Sequence, residues 1–147
     1  MDNLRKVSAS KIDVVWQYSK FYGKNLFSCE DFYCNDRGYI ALILLFETIE
    51  NVCKSIVEDY DLSFYKVVQK LGEMRLISEQ EECFLSTDEF SVRKIRNLFA
   101  HADLSSIGFF ENGIYYSLVE EESCMILYRK VFTPSLNMMV NLIKKQS

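Results

Sequence analysis

Residues 38–58 read GYIALILLFETIENVCKSIVE. Leu42, Leu45, Ile49, Val52 and Ile56 recur at intervals of three and four, the period of an α-helix. Glu47, Glu50, Lys54 and Glu58 take the remaining face. The apolar arc is broad, which suits a central helix packed on several sides. A chain organised around such a segment is predicted to be mainly α.

Working outward, Leu4–Phe27 carries Val7, Ile12, Val15, Trp16, Phe21 and Tyr22, an irregular amphipathic pattern whose end Gly23 and Asn25 loosen. Cys29–Asp36 reads as a polar connection. Beyond the central segment, Ser63 is placed to cap a helix bearing Phe64, Val67, Val68, Leu71 and Met74. Leu76-Ile77-Ser78 forms a corner, and Ser78 with Glu81 has capping-box spacing. Thr87-Asp88 predicts a further cap for a helix over Asp88–Ala102, with Val92, Ile95, Leu98, Phe99 and Ala102 as its apolar stripe. Ile107–Phe110 and Ile114–Leu118 flank Glu111-Asn112-Gly113. Asn-Gly accepts the positive φ angles of a type I′ turn, so this is a β-hairpin, which must pack on the helices to be stable. Met125–Phe132 fits either a helix or a strand. Thr133-Pro134 predicts the start of a last helix that ends in Lys144-Lys145.

The whole chain supports one helical domain over 1–147. It has 147 residues, 49% hydrophobic and 26% charged, with Pro 1 and Gly 5, so few turns are forced. The net charge is −4 and the pI about 5.1, which excludes a generally basic nucleic-acid coat but not a local basic site. The longest apolar run, Tyr39–Phe46, is too short to span a membrane. Met1–Lys6 has no apolar segment behind it, so a cytoplasmic protein is expected. Cys29, Cys34, Cys53, Cys83 and Cys124 are odd in number and widely spaced, with one histidine beside them. They read as reduced thiols, and neither a metal site nor a cofactor is expected.

The segment Arg93-Lys94-Ile95-Arg96-Asn97-Leu98-Phe99-Ala100-His101 carries the most chemistry. Arg96 is a permanent cation with a planar fork suited to phosphate. His101 is the only histidine, and its type titrates near neutrality. Asn97 and His101 are four apart and share a helix face. A histidine that moves a proton and an arginine that stabilises phosphoryl charge are the minimum kit for metal-free RNA cleavage. One histidine serves one end of the proton transfer, so two copies across a two-fold axis form an attractive site. Arg93 and Lys94 would extend the cationic face toward RNA. The plain alternative is a histidine capping helix carbonyls and a solvated arginine.

Arg96-Asn97-Leu98-Phe99-Ala100-His101 resembles the R-N-x-x-A-H form of the motif that marks the HEPN superfamily. The likeness extends in organisation over roughly residues 38–103, with Glu47, Glu50 and Asn51 on the long preceding helix. The resemblance implies an antiparallel helical bundle that dimerises through its motif helices. It implies a metal-independent endoribonuclease of a toxin–antitoxin or abortive-infection system. Arg96 and His101 would be the catalytic pair, oriented by Asn97, with a cognate antitoxin as partner. One toxin branch adds a Tyr two residues after the His, which a partner nucleotidyltransferase modifies. Position 103 here is Asp, a departure from that branch.

Two further features stand beside this reading. Glu47 and Glu50 could pair as carboxylates or at a metal, and a partner for Arg96 across the bundle is the better use of them. Tyr115-Tyr116 could stack on unpaired bases or simply pack. A non-catalytic HEPN-like module that binds a protein or nucleotide is the competing function. No P-loop, nucleophile elbow or dinucleotide fingerprint is present in the sequence.

Overall fold

The computed structural model describes residues 2–88, 91–101 and 108–146, with side chains from position 8 onward except at 98, 100 and 101. Helices dominate: α1 (Asp2–Tyr18), α2 (Lys20–Cys34), α3 (Gly38–Val57), α4 (Phe64–Glu73), α5 (Glu79–Glu82), α6 (Val92–His101) and α7 (Glu121–Lys144). A π-helical turn, Cys83–Thr87, follows α5 directly. A two-stranded antiparallel hairpin, β1 (Gly108–Glu111) and β2 (Ile114–Ser117), precedes α7.

Helix α3 is central. It packs against α2, α4, α6 and α7, and Leu42, Leu45, Ile49, Val52 and Cys53 on it are wholly buried. Glu50, placed by periodicity on the polar face, is buried too, because neighbours cover α3 on nearly every side. Helix α4 follows the sequence pattern closely. Ser63 Oγ accepts from the Lys66 amide at 3.3 Å, and Phe64, Val67, Val68 and Leu71 face inward. The Ser78 capping box is complete. Ser78 Oγ accepts from the Glu81 amide at 3.1 Å, and Glu81 accepts from the Ser78 amide at 2.9 Å.

Several sequence expectations are corrected. The N-terminal segment is two helices, broken at Ser19, which takes extended backbone and caps α2. Helix α2 continues through Cys34, so Cys29–Cys34 is helical rather than a polar connection, and Gly23 is buried against Trp16 instead of loosening an end. The cap of α6 is Ser91, whose Oγ accepts from the Lys94 amide at 3.3 Å; Thr87 ends the π-helical turn instead. Pro134 lies inside α7 rather than at a start. Proline costs a helix interior about 3 kcal/mol. Val131, Phe132, Leu136 and Met139 are buried on either side of it. At ~1.5–3 kcal/mol for each buried side chain, they outweigh that penalty.

The hairpin turns on Asn112 (φ 51°) and Gly113 (φ 78°), with Glu111 opposite Ile114. It docks on α7: Phe109 is buried under the Lys130 ammonium, 5.9 Å from its ring centre, and Glu111 pairs with Lys130 at 2.8 Å. Tyr116 stacks on Phe109, whereas Tyr115 lies against Phe110 on the exposed side. Among the described residues, no helix is long and apolar enough to cross a membrane.

Candidate active site at the Arg96 cleft

The side of α6 that carries Arg96 is fixed to α3 by rings. Phe99 meets Tyr39 edge-on at 5.4 Å and Phe46 at 6.2 Å. Val92 and Ile95 on the same helix are buried beneath. This packing sets Arg96 at the mouth of a cleft of about 300 Å³, lined also by Ile43, Phe46, Glu47, Glu50 and Phe99.

Within the cleft Arg96 has a partner from α3. Its Nη2 lies 3.0 Å from both Glu50 oxygens. The Glu50 side chain is only 10% exposed, against 39% for Arg96, so a nearly buried carboxylate holds a half-open guanidinium. Lys54 approaches the same carboxylate at 4.0 Å, one turn along α3. Glu50 therefore faces two cations, and the buried charge is compensated. The pairing across the bundle that the sequence suggested for Arg96 is formed, through Glu50.

The other residues singled out from the sequence are distributed differently. Asn97 follows Arg96 on α6 and is half-buried. His101 closes α6 in its backbone, while its side chain lies outside the described residues, as does Asp103 altogether. Arg93 and Lys94 do not line the Arg96 cleft. Arg93 donates from Nε to Ser86 Oγ at 2.9 Å and from Nη2 to the Ser86 carbonyl at 3.1 Å. Its guanidinium also sits 5.2 Å from the Tyr65 ring centre. Lys94 donates to the Thr87 carbonyl at 3.2 Å. Both cations thus tie α6 to the π-helical turn. Ser86 and Ser91 are buried there, and Ser91 Oγ donates to the Ser86 carbonyl at 3.0 Å. Sequence reasoning missed this role because the turn's exposed-looking serines gave no periodic signal.

Ile43 lines the cleft, and Ile40 precedes it by about one turn on α3. Ile40 is 40% exposed and Ile43 36%, unusual for large aliphatics on a central helix. Among the described residues, no group of three or more His, Cys, Asp or Glu is placed to hold a metal ion. The chain matches no protein-family model, no curated protein and no solved structure.

Proposed function

We propose that the chain is a HEPN-type, metal-independent endoribonuclease of the toxin–antitoxin or defence class, acting as a homodimer in the cytoplasm. The observation that carries this reading is Arg96 at the mouth of the α3–α6 cleft, on the helix that ends at His101. In the proposed reaction the ribose 2′-hydroxyl attacks the adjacent phosphorus. His101 moves the proton, Arg96 stabilises charge on the phosphoryl oxygens, and Asn97 orients the pair. Glu50 engages Arg96 through Nη2, so a phosphate would take the donors on Nε and Nη1. Dimerisation over Ile40 and Ile43 would bury their exposed surface and set two motifs face to face, giving one histidine for each end of the proton transfer. A cognate antitoxin would bind over that cleft. Arg93 and Lys94, held at the π-helical turn, would add to the local field rather than touch RNA.

A specific observation favours the competing reading, a non-catalytic HEPN-like module that binds a protein partner or nucleotide. The Glu50 carboxylate already neutralises Arg96, as a purely structural ion pair would. Cleavage of RNA in EDTA, with light scattering on each preparation, separates the two. Wild-type cleavage that leaves 2′,3′-cyclic phosphate ends and is lost in folded Arg96→Ala and His101→Ala supports the nuclease. A folded dimer that cuts no RNA class supports the binding module.

A further inference from the structure

The Arg96 cleft holds a second carboxylate that the proposed reaction leaves without a task. Glu47 lies three residues before Glu50 on α3, so the two Cβ atoms stand about 5–6 Å apart, one turn along the helix. Both residues line the cleft with Arg96. Glu50 is occupied: its two oxygens meet Arg96 Nη2 at 3.0 Å, and Lys54 approaches at 4.0 Å. Glu47 is exposed, and among the described residues its carboxylate makes no hydrogen bond or ion pair.

The rest of the lining is aromatic and aliphatic. Phe46 and Phe99 contribute rings 6.2 Å apart, and Ile43 adds an aliphatic side chain. The volume of about 300 Å³ is at the small end of small-molecule sites. One ligand therefore meets a guanidinium with Nε and Nη1 left for a phosphate, an apolar wall that suits a flat ring, and an acceptor-only carboxylate.

A nucleotide matches that set, and the carboxylate selects the base. A carboxylate accepts and does not donate, so it pairs best with an edge that presents two adjacent N–H donors. On its Watson–Crick edge guanine presents N1–H beside the N2 amino group. Adenine and cytosine present one amino group beside a ring acceptor, which would set lone pair against lone pair. Uracil presents one N–H between two carbonyls. We propose that the Arg96 cleft selects guanine, with the nucleotide's phosphate on Arg96 and the Watson–Crick edge of the base on Glu47. The inference rests on the phosphate role given to Arg96, and in the nuclease it places the cut on the 3′ side of guanosine.

Isothermal titration of the full chain with the 3′-phosphates of guanosine, inosine, adenosine, cytidine and uridine tests this without requiring turnover. The guanosine compound should bind at least about tenfold tighter than those of adenosine, cytidine and uridine, the size expected of hydrogen bonds to a charged acceptor. Inosine lacks the N2 amino group and should bind about threefold or more weaker than guanosine. Glu47→Gln, a change of charge at an exposed position, should remove most of the preference for guanosine, and Arg96→Ala should weaken all five compounds alike. The inference fails if the compounds bind alike, if none binds at millimolar concentration, or if the preference survives Glu47→Gln. A guanosine preference without RNA cleavage in EDTA would keep the inference and overturn the nuclease. Cleavage of RNA without a guanosine preference would do the reverse.

Discussion

At the Arg96 cleft one carboxylate, Glu50, holds two cations, and the balance between them sets how much positive charge the site presents. Glu50→Gln keeps the shape and an acceptor but removes the charge. Arg96 is more than a third exposed, so water compensates part of the loss, and a destabilisation of about 1 kcal/mol is expected in urea denaturation. The same change leaves Arg96 uncompensated, so RNA should bind several-fold tighter in a filter assay on a His101→Ala background. Weaker RNA binding in Glu50→Gln would mean that the carboxylate orients Arg96 more than it masks it.

The thiols give a second prediction at this scale. Burial pushes Cys53 and Cys124 from the ordinary 9.0 up to about 12, with the charges of Glu50 and Glu121 adding to it. Burial drives Cys29 upward as well. A raised folded pKa means that the native state keeps protons that the unfolded chain releases. The resulting stability is complete below about pH 9 and drains away toward about pH 12. Denaturation midpoints should therefore be level from neutrality to about pH 8 and fall steadily above pH 9. An aromatic disulfide reagent should titrate exposed Cys34 first in the native protein and reach Cys29, Cys53 and Cys124 only on unfolding.

Elements whose signal is local are legible in the sequence itself. The Ser78–Glu81 box, the Ser63 cap and the Asn112-Gly113 turn all depend on residues within four positions of each other. Features that depend on distant surroundings are not. Nothing near Ser19 breaks a helix, yet the chain bends there so that α1 and α2 pack together. Pro134 is a helix starter by preference, but buried neighbours on both sides carry α7 through it. The burial of Glu50 is illegible from periodicity, although the need of Arg96 for a counter-charge points to that helix. Gly38 shows the same dependence on distance and carries its own prediction. A Cβ there would stand 2.6 Å from the Met125 amide nitrogen and 2.9 Å from the Cys124 carbonyl carbon. These are backbone atoms that cannot swing aside, so the start of α3 can approach α7 only without a side chain. Gly38→Ala should lose about 1–3 kcal/mol by denaturation, despite the better helix propensity of alanine.

For the whole molecule, charge decides how RNA could be held. Each chain carries −4, so a dimer carries twice that, and its overall field repels a polyanion. Attraction must come from a few cations acting at close range. The fold reduces their number further, because Arg93 and Lys94 are bonded to the π-helical turn. If only the two Arg96 side chains of a dimer neutralise phosphates, log K for single-stranded RNA should fall against log salt with a slope of about −1.4. If Arg93 and Lys94 of both copies also engage, six cations would steepen it to about −4. Titrations of His101→Ala protein at several salt concentrations distinguish these slopes. The shallow slope is expected, with Arg96→Ala abolishing it and Arg93→Ala leaving it unchanged while loosening the contact between α6 and the turn. The steep slope would mean that RNA displaces those bonds, making the π-helical turn part of the binding surface.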